Sequence, residues 1–380
     1  MSTITGPNAR SCFDRDPNQL LEGEKMPVAF FHWGAEFVYV IEPKDQPPIA
    51  NILYSHGLTD HAARHFPTAK CLAEAGYRVI LFDLRGHGGQ GQPIEQSLPI
   101  KEVYASSESA SQGIEKLDEL HGQPVFTKRF REERYRALKK NRFGDHLDQF
   151  TAITEQITRS ERFGGDQLPL FLVGHSLGAL ICAESAWLWH PRSSARISGI
   201  ITLNPAFRPR GRPGNPLEKI TIDSFWVSRG APLWFLPVSL PRGGFKTLFD
   251  VGFPIGTAWG IPWLSEQQDE SNLYEKDPLT LDAVPSRYVK SIVSQMEKTD
   301  RRRTPFPHDL LIILPERDGI TSVQGGLDFA RKPCTGSSSL VRLDKICAHD
   351  LMRSEGRSKA RQVVTSWLGD RIGERTEKTK

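Results

Sequence analysis

Cysteine is scarce in this sequence: five residues in 380, at positions 12, 71, 182, 334 and 347. None forms a C-x-x-C pair or a metal-like spacing, and an odd number in a large chain argues against a disulfide framework. The thiols are read as free, in a reducing compartment, and no metal is expected. Also lacking is any apolar run long enough to span a bilayer, and the opening MSTITGPNARSCFDRD has neither the basic nor the apolar region of a secretory signal. The expectation is a cytoplasmic protein. Net charge is slight, at +4, so a dedicated nucleic-acid binder would need a local basic stripe, and none is persuasive. With 38% hydrophobic and 25% charged residues the composition excludes global disorder and supports a sizeable core. No internal repeat is visible.

What is present is an alternation of short apolar runs and helical patterns, the signature of an α/β fold with a mostly parallel sheet flanked by helices. Ile49 to Tyr54, Arg78 to Phe82, Leu168 to Val173, Ile197 to Leu203, Leu310 to Leu314 and Leu340 to Leu343 read as buried strands, and Val28 to Phe31 with Phe37 to Ile41 as an opening antiparallel pair. Helical stripes run through Phe66, Ala69, Leu72 and Ala73, ending at Gly76, and through Phe143, Leu147, Phe150, Ile153 and Ile157. A last stripe, Ala360 to Leu368, is expected to stop at Gly369.

Two segments break the alternation. Gln92 to Arg142 places roughly fifty residues where such connections usually need about 2–6, and is expected to carry helices of its own. Residues 205–281, rich in Pro, Gly and large apolar side chains, are read as a cap. The chain therefore divides into a core of 1–204, with the extra insertion near 92–142, a cap of 205–281, a second core part of 282–372 and a flexible tail of 373–380.

The chemistry centres on Gly174-His175-Ser176-Leu177-Gly178, a G-x-S-x-G motif between a predicted buried strand and an apolar helix. Small residues on either side let strand and helix approach, exposing the Ser176 hydroxyl at the sheet's edge beside helix N-terminal amides. A serine hydroxyl is a poor nucleophile at neutral pH, so it needs a base and a group that fixes the base's tautomer. In this fold the chain order is Ser, then acid, then His, each after a late strand. Asp318 follows the Leu310 strand and is read as the acid, with Glu316 on the same loop as the alternative. His349 follows the Leu340 strand and is read as the base. The backbone amides of Leu58, after His56-Gly57, and Leu177 are read as the oxyanion hole. Cys347 is read as a buried small residue.

These residues resemble the monoacylglycerol lipase and lysophospholipase group of α/β-hydrolases, also labelled serine aminopeptidase S33-like. The resemblance rests on His56-Gly57 with His61 and Arg64, Asp83-Leu84-Arg85-Gly86-His87-Gly88, Gly174 to Gly178, Asp277-Pro278-Leu279, Asp318, and His349 with Glu355. It implies an α/β-hydrolase fold with an inserted cap, places Ser176, Asp318 and His349 on the family's triad, and Leu58 and Leu177 on its oxyanion hole. Two departures stand out: Gln92 to Arg142 is extra, and the usual G-x-x-D of the acid loop reads Pro315-Glu316-Arg317-Asp318.

The cap holds Trp226, Trp234, Phe235, Phe245, Phe249 and Trp259 among other apolar residues, which suits an acyl-chain pocket or contact with a membrane interface; a small cap core is the alternative. The run from Lys128 to Arg142 is locally basic. It reads as a solvated helix face, with anionic lipid headgroups as the alternative partner. The expected reaction is hydrolysis of carboxylic esters with an acyl chain, of monoacylglycerol or lysophospholipid type, without a cofactor. The alternatives are a short-chain carboxylesterase or serine peptidase with the same triad, and a catalytically silent binding scaffold. The partner is a small-molecule acyl ester; oligomeric state is not legible.

Overall fold

Runs of Val, Ile, Leu and Phe set the strands, because branched and aromatic side chains suit a sheet covered on both faces. The computed structural model describes residues 28–33, 36–90, 94–107, 109–120, 128–165, 167–193, 197–209, 252–254, 264–281 and 283–378. The first strands are β1 (Val28–Trp33), β2 (Glu36–Ile41), β3 (Ala50–Ser55), β4 (Tyr77–Phe82), β5 (Leu170–His175) and β6 (Ile197–Leu203). They are followed by β7 (Gly252–Pro254), β8 (Ala283–Pro285), β9 (Leu310–Pro315) and β10 (Ser338–Leu343). One eight-stranded sheet runs β1-β2-β4-β3-β5-β6-β9-β10, and β7 pairs with β8 apart from it. The two pairings β1–β2 and β2–β4 are antiparallel; the rest of the large sheet is parallel.

From β3 the chain steps to β4 on one side and then to β5 on the other. That reversal places a topological switch point beyond the C-terminal ends of β3 and β5, the usual ligand position in such sheets. Among the described residues, four non-glycine residues take left-handed backbone, at Thr59 (φ 64°), Ser176 (φ 53°), Asn204 (φ 46°) and Lys345 (φ 66°). They follow β3, β5, β6 and β10, so the strained turns gather at one edge of the sheet.

Helix α1 (Phe66–Glu74) buries Phe66, Ala69, Leu72 and Ala73 and ends before Gly76, whose φ of 96° suits glycine. Three helices fill the first insertion: α2 (Ile94–Ser106), α3 (Ala110–Leu120) and α4 (Lys128–Lys140). Ile100, Val103, Tyr104 and Leu117 enter the same hydrophobic cluster as β3 and α1, so this segment is part of the core. α5 (Phe143–Arg159) starts where the Arg142 amide donates to Asp145 at 2.6 Å. It and α6 (Leu177–Ser193) share the cluster on the sheet's other face. α7 (Gln268–Lys276), α8 (Ser286–Arg301), α9 (Val323–Ala330) and α10 (Arg357–Lys378) complete the described helices. No helix among the described residues is long and apolar enough to cross a membrane.

Several local expectations change. β10 is an edge strand with Leu340 43% exposed, because it has β9 on one side only. The last helix passes Gly369 and continues to Lys378, since a glycine there costs only about 1 kcal/mol and Ile372 packs against the core beyond it. Arg134 is buried, with Nε donating to the Gly88 carbonyl, so the basic run is not wholly a solvated face. Cys347 is half-buried rather than buried. The cap aromatics named above lie outside the described residues.

Candidate active site

The turn from β5 into α6 is built on two glycines. A Cβ on Gly174 would stand 2.4 Å from the Gly178 carbonyl carbon, and one on Gly178 would stand 2.2 Å from the Ser55 carbonyl oxygen at the end of β3. Strand and helix approach this closely only without side chains. Ser176 lies at the apex with left-handed φ, its amide bonded to the Leu203 carbonyl of β6 at 3.0 Å. It is 5% exposed.

The loops carrying Asp318 and His349 converge on this apex. His349 Nδ1 donates to Asp318 Oδ2 at 2.7 Å. Asp318 also accepts the Ile320 amide at 2.7 Å, the Thr321 amide at 3.0 Å, the Thr321 hydroxyl at 2.8 Å and Asn204 Nδ2 at 3.2 Å. Burial alone would push its carboxyl up, but the imidazole and these donors hold it down to about 2. Asp318 is therefore a fixed anion at neutral pH. A proton placed on Nδ1 leaves Nε2 as the basic nitrogen. Glu316 is turned elsewhere, accepting the Lys345 amide at 2.7 Å. The base loop touches the elbow directly: His175 Nε2 donates to the His349 carbonyl at 3.0 Å, and the two rings lie 5.0 Å apart. Among the described residues, neither the Ser176 hydroxyl nor His349 Nε2 makes a hydrogen bond. Such contacts are often loose in a free site and tighten on substrate.

The loop after β3 is held as firmly. His56 Nδ1 donates to the Gly57 carbonyl at 2.7 Å, and Nε2 accepts the Leu84 amide at 2.9 Å. Burial lowers this histidine to about 3, keeping it neutral with one tautomer. Thr59 carries its strained φ under three ties: the Tyr274 hydroxyl lies 2.6 Å from its own hydroxyl and donates to its carbonyl at 3.1 Å, and the Leu281 amide donates there at 3.0 Å. His61 Nε2 meets Asp277 Oδ2 at 2.6 Å, and Tyr104 donates to the same oxygen. Asp277 Oδ1 accepts the Leu279 amide at 2.7 Å. The segment from Tyr274 to Leu281 is thus clasped to the loop that carries Leu58, with α2 supplying Tyr104. No hydrogen bond among the described residues uses the amides of Leu58 or Leu177.

The family described as serine aminopeptidase, S33 matches residues 46–127 and 132–355. This chain belongs to that family. Solved α/β-hydrolases share its fold at low identity. A monoacylglycerol lipase from Paleococcus ferrophilus has TM-score 0.58 and 17% identity, covering 88% of this chain and 99% of its own. A soluble variant of monoglyceride lipase from Saccharomyces cerevisiae, in complex with a substrate analogue, has TM-score 0.58 and 15% identity over 92% and 96%. A carboxyl esterase from Bacillus coagulans, in complex with glycerol, has TM-score 0.54 and 15% identity over 92% and 99%. No curated protein matches the sequence.

Among the described residues of this S33 hydrolase, one group of side chains has metal-ligating types: Asp60, His65 and His175 offer atoms within 4.8 Å of one another. The structure gives them other work. His65 Nε2 donates to Asp60 Oδ2 at 2.9 Å, Tyr54 meets His65 Nδ1 at 3.1 Å, and Arg64 Nε pairs with Asp60 Oδ1 at 2.9 Å. A cation would have to displace the His65 proton and compete with a guanidinium. Glu355, part of the sequence resemblance, is exposed. Asn204 and Tyr104 are contacts that sequence reasoning did not find; neither lies in a recognisable spacing.

Proposed function

We propose that the chain hydrolyses carboxylic esters with an acyl chain, of the monoacylglycerol or lysophospholipid type, through an acyl-enzyme on Ser176. The observation that carries this reading is the 2.7 Å bond from His349 to a buried Asp318 carboxylate, beside a serine in left-handed conformation. Ser176 Oγ bonds to the ester carbonyl carbon as His349 Nε2 takes its proton. The Leu58 and Leu177 amides receive the oxyanion. The ester C–O bond then breaks, the leaving alcohol takes the proton from His349, and water activated by the same imidazole releases the acid. Nothing in this sequence of steps calls for a cofactor.

Support for a lipid ester comes from the lipases that share the fold and from the aromatic composition of the cap. The same cap would make any peripheral contact of a cytoplasmic enzyme with a membrane. The family's description as an aminopeptidase favours amides as a second reading, since one triad serves both bonds. A panel of monoacylglycerols, lysophospholipids, short p-nitrophenyl esters and aminoacyl amides, run with the parent protein and Ser176→Ala, decides between them. Acyl-ester turnover lost in Ser176→Ala is expected. Turnover of amides alone would overturn the lipid reading, and turnover of short esters alone would restrict it to a carboxylesterase.

A further inference from the structure

We infer that Asn204 is a positioning residue for the proposed triad, holding the acid loop and the base loop in register through the two hydrogens of one carboxamide. This rests on the functional reading above and adds a residue that reading does not use. Asn204 is the first residue after β6 and is 1% exposed. Its Nδ2 donates to Asp318 Oδ2 at 3.2 Å and to the Ala348 carbonyl at 3.2 Å. Its own amide donates to the Ile313 carbonyl of β9 at 3.0 Å, which fixes it to the strand leading into the acid loop. One side chain thus spans the residue that orients the base and the residue just before the base.

The carboxamide has one orientation open to it. Turned over, its oxygen would face a carboxylate and a carbonyl, with no hydrogen between them. In the orientation present, Asn204 Oδ1 is buried and has no partner among the described residues. A buried acceptor left unpaired costs stability, and so does a left-handed backbone outside glycine. Both costs fall on a residue that touches the two loops the chemistry needs, which is where strain is kept for function.

The base loop is tied at four consecutive residues: the Cys347 amide by Glu266 at 2.6 Å, Ala348 by Asn204, the His349 carbonyl by His175, and the Asp350 amide by the Leu264 carbonyl at 2.8 Å. Of these ties, the one from Asn204 also reaches Asp318. The Glu316 and Arg317 amides hold the two loops together further back, at the Ile346 carbonyl, so loss of Asn204 acts locally, freeing Asp318 to rotate about its remaining donors and releasing Ala348 next to His349. Small displacements of a base from its nucleophile are costly in rate.

A plainer account is that asparagine sits here only because it tolerates left-handed φ better than most residues. Two variants separate the accounts. Asn204→Asp keeps shape and tolerance of φ but replaces the donor with an oxygen; Asn204→Gly keeps the backbone and removes the side chain. For both, kcat and KM are measured on an ester the parent turns over, with a pH profile and a melting temperature. The groups facing His349 in that profile are Asp318 from the acid loop, His175 from the elbow and Asp350 beside it, with Asp60 and His65 beyond His175. Positioning predicts a loss in kcat of about ten- to a hundredfold with KM nearly unchanged, as for removal of a hydrogen bond to a charged group. It also predicts an acid limb moved to higher pH in Asn204→Asp, because an added carboxylate favours imidazolium. The His349 Nδ1–H proton resonance, which needs no substrate, should shift in both variants. Parental kcat, pH profile and resonance in Asn204→Gly, whatever its melting temperature, overturn the inference. A parent that turns over none of the panel instead sinks the functional reading, and the resonance then still decides whether Asn204 sets the pair.

Discussion

Replacing Gly178 by alanine should push the start of α6 away from the end of β3 by a measurable distance. The new Cβ would lie 2.2 Å from the Ser55 carbonyl oxygen and 2.6 Å from that of His56, whereas real Cβ atoms essentially never come within 3.0 Å of a neighbour. All the opposing atoms belong to the backbone, so no side chain can swing away. The start of α6 must therefore retreat from the end of β3 by at least about 0.8 Å. That movement pulls the Leu177 amide away from the loop holding the Leu58 amide, widening the proposed oxyanion hole. A misplacement near 1 Å costs on the order of 10²-fold in rate, and overpacking of this kind costs about 1–3 kcal/mol in stability. Gly369→Ala supplies the control, because its Cβ meets nothing within 4 Å and lies inside α10; it should gain up to about 1 kcal/mol without altering kcat. Steady-state kinetics on an ester and urea denaturation of the three proteins make the comparison. A Gly178→Ala protein with kcat within a few-fold of the parent would refute the argument that backbone proximity at this turn aligns the oxyanion donors.

Asp318→Asn should lower kcat by about 10³- to 10⁴-fold, because an amide cannot hold the same imidazole tautomer, while Glu316→Gln should leave kcat near the parent's; paired kinetics test both. Asp318 is also a stability group: its folded value of about 2 lies below the unfolded value of 3.8, so its contribution of about 2 kcal/mol is complete above pH ~4 and is lost as pH falls towards 2. Urea midpoints of parent and Asp318→Asn across that window should converge at the acid end. Asp277→Ala strands buried His61 and Tyr104 and should destabilise the fold by about 3–5 kcal/mol, read by the same denaturation.

The site's chain order was legible because the chemistry constrains it locally. Ser176 lies between a buried strand and an apolar helix, and the loops carrying Asp318 and His349 each follow a late strand, so period and order point to Ser176, His349 and the loop of the acid. The expected core strands fall within two residues of those observed, and Ile197–Leu203 coincides. What could not be read depends on contacts between loops far apart in the chain. Asn204 has no spacing that predicts its reach to Asp318 and Ala348. Tyr104 and Arg134 lie in the segment read from its length as an extra insertion, and nothing in their spacing announces that Tyr104 closes on Asp277 and Arg134 on Gly88. The run past Gly369 was hidden because the glycine suggested a C-cap, while the packing of Ile372 that carries the helix onward is a tertiary effect. Choosing between Glu316 and Asp318 as the partner of His349 required a distance.

In the proposed mechanism the Ser176 hydroxyl becomes nucleophilic because His349, oriented by Asp318, is poised to take its proton. Intact-mass analysis after a fluorophosphonate, followed by peptide mapping, reads this directly. The account predicts one stoichiometric adduct, on Ser176, with labelling abolished in Ser176→Ala and slowed at least about a thousandfold in His349→Ala. An unlabelled parent, or a parent and a His349→Ala variant that label at the same rate, would contradict it.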